Sequence, residues 1–473
     1  MASARARVSA SARTEWWRPV PPLAPAGTET LAARTGEEHG TRGAFAFRAV
    51  LAFTFINLLS PQSFLPALQP LRLALVAALV GIGALLAGSI FQGRPLTVRS
   101  PEMTMTAALV AWAVVTVPLS FWPGGSVSFL LDLYFKTVAI FWLLANVVDT
   151  LARLRKVVWA LTLMSIPLAL TGVKNFVTGG FLDGDPSGLK RIVGYEGGLT
   201  ANPNDLALTL NLILPLSAAL LLSARSARAR FLLGTVVLLD VAGVVVTFSR
   251  GGFVTLATIV GICLWRLARR GRAGLAAGVL AVCLLAFAIL PSGYGSRVAT
   301  ITDINADATG SSQQRWADMT RAAGLALDHP LTGSGVGMNT LALYEARTAE
   351  RVRAAALKVH SVYLELAVEL GLPGLVLYVL LVRACLRTVR RVRRGAGAAG
   401  PDELARLAEG IEISLWAFAV AALFHPVAYQ FYFYYMAGLS VAAGRVYRER
   451  SASNQARRRG PEVLRACVAS PGR

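Results

Sequence analysis

The sequence predicts an all-α protein: a polytopic membrane bundle of about 12 transmembrane helices with one large external loop. Composition is the first support. Hydrophobic residues make up 55% of 473 and charged residues 15%, with a mean hydropathy of +0.55. The second is the recurrence of apolar blocks of roughly twenty residues, the length a helix needs to cross about 30 Å of hydrocarbon. The third is where the arginines fall between those blocks.

The blocks lie near 44–60, 71–91, 103–121, 127–148, 157–178, 204–223, 230–248, 251–268, 273–291, 361–383, 408–426 and 428–448. The first is the weakest, being short and interrupted by Arg48 and Asn57. One set of connections carries Arg94 and Arg99; Arg153, Arg155 and Lys156; Arg225, Arg228 and Arg230; and Arg266, Arg269, Arg270 and Arg272. It ends with the Arg383 to Arg394 cluster. The opposite short connections, near 121–126 and 425–430, carry no Arg or Lys, and the turn at 249–251 carries only Arg250. Basic residues concentrate in cytoplasmic loops. The pattern therefore predicts twelve membrane crossings with both termini cytoplasmic. It also accounts for the net charge of +21 through anionic lipid, without nucleic acid.

This divides the chain into a basic cytoplasmic tail (1–43), helices over 44–291, the external or periplasmic loop 292–360, helices over 361–448, and a basic tail (449–473). Residues 1–43 lack an apolar h-region, so they read as a disordered tail and not as a cleavable signal. A second external segment spans about 179–203. Cys263, Cys283, Cys385 and Cys467 are scattered, with no CxxC, and the four histidines form no HExxH. Neither a disulfide framework, a metal site nor a cofactor is expected.

Charges on the external side are few, so each is informative. Lys190 and Arg191 sit where positive residues are disfavoured. They precede Asn202-Pro203-Asn204-Asp205, which has the form of a helix cap followed by a proline at the helix start. Arg250 lies in Thr247-Phe248-Ser249-Arg250-Gly251-Gly252, between two apolar blocks with almost no linker. A charge placed so near the membrane needs a partner or a function. The large loop contributes Arg315-Trp316, then Pro330-Leu331-Thr332-Gly333-Ser334-Gly335-Val336-Gly337, whose glycines read as turns, since no strand precedes them. His329 reads as structural, and residues 341–358 as a charged amphipathic helix.

His360 differs from the other histidines in opening an apolar run, with Tyr363 one turn on; a neutral imidazole there can take a proton from a hydroxyl. Glu365 and Glu369 should face the bundle interior, and Asp240 is a buried acid of ambiguous role. Guanidinium forks bind phosphate oxygens bidentately and keep their charge, so a lipid-linked diphosphate is the ligand class that suits several arginines at the membrane surface. No carboxylate pair of glycosidase type stands in the loop, which argues against simple glycan hydrolysis.

Taken in order, these pieces resemble the O-antigen ligase and polymerase superfamily. They are the Arg191 loop with Asn202-Pro203-Asn204, Ser249-Arg250-Gly251, Arg315-Trp316 with the glycine-rich stretch, and His360-Ser361-Val362-Tyr363-Leu364-Glu365. The last runs on to Glu369-Leu370-Gly371-Leu372-Pro373-Gly374. The resemblance implies a metal-independent glycosyltransferase of the cell envelope, moving a glycan from undecaprenyl diphosphate to a glycan, lipid or protein hydroxyl, as in lipopolysaccharide or other polysaccharide biosynthesis. By position it implies catalytic roles for His360, Arg250 and Arg191. Arg315, Lys190, Tyr363 and Asn202 would contact the diphosphate or the acceptor. One departure is Ser361, where the family usually has Asn. The resemblance separates neither ligase from polymerase nor either from a protein oligosaccharyltransferase. A lipid-linked glycan flippase is the competing class; it would place ionisable residues near the midplane and show repeated halves, whereas here the informative charges cluster at the external face and the halves differ. A structural scaffold predicts that single Arg or His changes are harmless.

Overall fold

The computed structural model describes residues 28–91, 93, 95–181, 191–195, 197–288, 311–345, 359–398, 400 and 402–468. Among these there is no strand, only an isolated antiparallel bridge between Phe181 and Ile192. The chain forms α1 (Thr28–Leu59), α2 (Leu73–Phe91), α3 (Pro101–Val115), α4 (Pro123–Val147), α5 (Leu151–Thr178), α6 (Pro203–Ser223) and α7 (Ala227–Val246). It continues with α8 (Arg250–Arg269), α9 (Ala273–Ala288), α10 (Ser311–Asp328), α11 (Asn339–Glu345), α12 (Val362–Gly397), α13 (Glu403–Ala421) and α14 (Phe431–Val468).

Each apolar block of the sequence falls on one of these helices. Seven helices are long and apolar enough to cross a membrane, among them α4 to α8 and α12, while α3 and the apolar parts of α1 and α9 are shorter. Helix α1 begins at Thr28, ahead of the expected 44, and α14 continues to Val468, beyond the expected 448. Two of the expected tails are therefore helical in part.

The chain marks its own helix ends. Ser100, Thr150, Asn202, Ser226, Ser249 and Asp402 each accept a backbone N–H of the first turn that follows. Helix α6 is buried almost all round, enclosed by α5, α7, α8 and α13, and α12 packs between α3, α13 and α14. Several polar side chains inside the bundle pair with the backbone or each other, as apolar surroundings favour: Ser217 with Thr162 at 3.1 Å, and Ser414 to the Leu212 carbonyl at 2.7 Å. At one end, Glu412 accepts from Arg266, Arg390 and Arg393 at 2.8–2.9 Å, joining α8, α12 and α13.

Toward the other end α12 breaks. Gly371 takes φ 67°, and Pro373 has no N–H, so the carbonyls of Val368, Glu369 and Leu370 lose their helical donors. The loop after α10 replaces them. Ser334 N–H donates to Val368 and Gly335 N–H to Glu369, at 2.7 and 3.0 Å, while the Trp112 indole donates to Leu370 at 2.8 Å. In return, Leu372 N–H donates to the Pro330 carbonyl at 2.8 Å. The Glu369 carboxylate accepts N–H groups from Gly337 and Asn339, backbone and side chain. The glycine-rich stretch is a set of turns, with Gly333, Gly335 and Gly337 all at positive φ. His329 stacks edge-on against Phe121, a packing role.

Because a Cβ on Gly371 would meet the Leu331 carbonyl at 2.4 Å, we predict that Gly371→Ala costs roughly 2 kcal/mol or more and lowers the melting temperature of the purified protein. An unchanged melting temperature would contradict this account of the break.

Candidate functional site

At the α12-break side of the bundle, separate stretches of chain meet in one small cleft. It encloses about 40 Å³ and is lined by Arg191, Asn204, Arg250, Arg315 and His425, with Phe248, Ser249, Gly251 and Phe424. Each of these side chains is placed by a different local device.

Arg191 opens a short irregular segment, 191–195, pinned to α5 and to the turn before α6: Asn175 donates to the Val193 carbonyl at 2.9 Å, and Gly194 N–H donates to the Ala201 carbonyl. Its guanidinium donates to Asn204 Oδ1 at 3.1 Å. Asn204 in turn stands in the first turn of α6, which Asn202 caps by accepting the Asn204 N–H at 2.8 Å. The asparagine in contact with the cleft is thus Asn204, whereas Asn202 holds the helix end and its side chain is exposed.

Arg250 opens α8. Thr247 accepts the Ser249 N–H at 3.2 Å, Phe248 adopts φ 51°, and Ser249 accepts the Gly252 N–H at 3.1 Å, so α7 reverses into α8 without a linker. A cation at a helix N-terminus opposes the helix dipole. Arg250 and the α8 N-terminus therefore both add positive potential, which is the electrostatic form of an anion site. Gly251 presents no Cβ to the cleft, and the His425 ring lies against it, with Cε1 at 3.1 Å from where a Cβ would stand. Arg315 arrives from α10, whose C-terminal end leads into the loop clamped at the α12 break.

The structure thus brings Arg191, Arg250 and Arg315 together. Lys190 lies outside the described residues. His360 is half-buried at the entrance to α12 and is not among the residues lining the cleft. It is tied to the cleft wall through its neighbours. Val362 N–H donates to the Ala422 carbonyl at 2.8 Å, and Ser361 Oγ donates to it at 3.4 Å. Ala422 belongs to the α13–α14 connection that carries Phe424 and His425, and Glu365 anchors that connection again by accepting the Ala428 N–H at 3.1 Å. Tyr363 donates to the Ala419 carbonyl at 2.9 Å, fastening α12 to α13 and not facing the arginines' cleft.

The residue that sequence reasoning passed over is His425. Its loop lacks Arg and Lys, which marks sidedness and nothing else, and no local pattern links a histidine there to Arg250. Burial, foremost, and the nearby Arg315 hold its imidazole below the usual pKa, while the Ala421 and Asn204 carbonyls pull the other way.

Residues 211–379 match the family model described as O-antigen ligase. Over that stretch, about a third of its length, the chain is similar to the O-antigen ligase superfamily. No curated protein matches it. The match runs from the middle of α6 to the middle of α12, so this O-antigen ligase segment includes Arg250, Arg315, the α12 break and His360, whereas Arg191 and His425 enter the cleft from outside it. The match supports membrane glycan processing of the O-antigen ligase or polymerase type.

The two asparagines separate by test. We predict that Asn204→Ala weakens binding of a diphosphate ester about tenfold, the loss of one charge-assisted hydrogen bond that orients Arg191. Asn202→Ala should instead cost about 1 kcal/mol of stability through its lost cap, with binding intact. Calorimetric titration of both variants checks this, and the reverse pattern would reject the assignment.

Proposed function

We propose that this protein is a glycosyltransferase that moves a glycan from undecaprenyl diphosphate to an acceptor hydroxyl during cell-surface polysaccharide assembly, on the external face of the bacterial inner membrane. The observation that carries this reading is the meeting of Arg191, Arg250 and Arg315 in one cleft at a helix N-terminus. Guanidinium groups from three chain segments concentrate more positive charge than a neutral sugar needs, and their forks match phosphate oxygens.

In the proposed reaction the acceptor oxygen attacks the anomeric carbon as the bond from that carbon to the phosphate oxygen breaks. The electron pair passes to the diphosphate, where the arginines stabilise the added charge. The hydroxyl proton passes to the His360 imidazole, which stands one short segment from the cleft wall. Ser361, buried and donating to Ala422, fixes the backbone entering α12 and so the place of His360. This chemistry needs no metal. Twelve crossings with both termini cytoplasmic would put the cleft on the external side, where the lipid-linked donor is presented.

Polymerase activity uses the same donor chemistry and differs only in acceptor. A flippase, the competing class, would carry its ionisable groups along a path across the membrane; the cleft's cations instead gather at one end of the bundle.

The deciding experiment is a metal-free transfer assay with purified protein, an undecaprenyl-diphosphate-linked glycan and candidate acceptors. Arg250→Ala and His360→Ala should each lower the rate by about 10² or more, and Arg250→Lys should also be impaired because a point charge cannot replace the fork. Full transfer by both alanine variants, with normal insertion, would refute the mechanism. Carrier movement across a vesicle bilayer without transfer would favour the flippase.

A further inference from the structure

His425 is 5% exposed, and its ring is fixed on both sides. Nδ1 lies 3.3 Å from the Ala421 carbonyl, which can only accept, so Nδ1 carries the hydrogen. In the neutral ring Nε2 is therefore a bare acceptor. Among the described residues Nε2 has no hydrogen-bond partner, although it is buried in the wall of a cleft of guanidinium groups. Gly251 leaves the space the ring occupies, and the α13–α14 connection that carries it is anchored from α12 at Ala422 and Ala428. A buried polar atom left without a partner is costly unless something meets it there.

We propose that His425 is a ligand-contacting residue of this cleft, which takes up a proton at Nε2 when a diphosphate enters and donates that N–H to a phosphate oxygen. The inference rests on reading the cleft as a diphosphate site. The charged groups around the ring are Arg191 from the segment before α6, Arg250 from α8 and Arg315 from α10. Asp205 follows Asn204 in the first turn of α6. From α12, Glu365 meets the α13–α14 connection by accepting the Ala428 N–H, and His360 directly precedes Ser361 and Val362, which bond to the Ala422 carbonyl. With the cleft empty, burial and the neighbouring arginine disfavour the imidazolium. Two phosphate charges among the same arginines reverse that field, and the Ala421 and Asn204 carbonyls already favour the charged ring. One proton comes from solvent on binding and returns to it on release, so no bond of the donor is broken by this step.

The sign follows from linkage. The imidazole pKa is depressed in the free protein and raised in the complex. Affinity is therefore flat below the free-state value, falls by at most about tenfold per pH unit between the two, and is flat above the bound-state value.

The test is calorimetric titration of the full-length protein in detergent with a symmetrical dialkyl diphosphate diester, whose two charges do not titrate between about pH 5 and 8. Buffers of different ionisation enthalpy count the protons. The expected result is uptake of about one proton and affinity that falls as pH rises. His425→Gln, which keeps an N–H near the ε position, and His425→Asn, which keeps one near the δ position, should bind with no uptake and no pH dependence. At the acid end both should bind about tenfold more weakly than the parent. Binding by the parent without proton uptake, or uptake that persists in either variant, would overturn the role of His425 alone. Failure of the parent to bind the diester at any pH would overturn the diphosphate reading of the cleft, and this inference with it.

Discussion

The break in α12 is the constraint on which the working end of this molecule depends. Once Gly371 and Pro373 interrupt the helix, three carbonyls inside an apolar bundle need new donors, and burying them unpaired would cost several kcal/mol. The loop from Pro330 to Asn339 supplies donors for two of them and α3 supplies Trp112 for the third. That exchange does more than repair a helix. It fixes where α10 ends, since the loop begins directly after Asp328, and so it places Arg315 at the cleft. It also leaves the first turns of α12 free to tie Ser361 and Val362 to Ala422 and Glu365 to Ala428, which positions the connection bearing His425.

The cleft itself gathers three guanidinium groups beside a buried imidazole. Arg191 is oriented by an asparagine oxygen, Arg250 sits on a helix end whose dipole disfavours it, and a buried imidazole stands between carbonyls. A bound anion would stabilise such an arrangement, as the proposed function requires. Catalysis of group transfer from a diphosphate requires stabilising charge on the departing phosphate more than on the bound donor, and preorganised cations achieve that without reorganisation at the moment of reaction. The opposite end of the bundle shows the contrast. There the arginines Arg266, Arg390 and Arg393 are matched by Glu412, and Arg266 and Arg270 by Glu409, so their charge is consumed in holding α8, α12 and α13 together.

Much of this was legible in the sequence. Apolar runs at membrane length marked the helices, Ser, Thr, Asn and Asp marked their starts, and cations on the side where positive residues are disfavoured marked Arg191, Arg250 and Arg315. Each signal is local, because hydropathy, capping and charge placement are properties of short segments. The glycine-rich stretch was recognisable as turns for the same reason. Even so, Asn202 stood out where Asn204 does the contacting, since a cap and its neighbour differ only in which way a side chain points once the helix is built.

What the tertiary structure alone decided was proximity. Nothing in the order of residues says that Arg191, Arg250, Arg315 and His425, spread over half the chain, share one cleft, or that Tyr363 turns to α13 while His425 faces the arginines. Those facts follow from how α6, α8, α10 and the α13–α14 connection pack, and from a helix break whose carbonyls are met by a loop 34 residues upstream and by Trp112 of α3. Sequence determines which segments are helical and which carry charge, because those are local free energies; the site arises from long-range backbone pairing in an apolar medium, which no local pattern encodes.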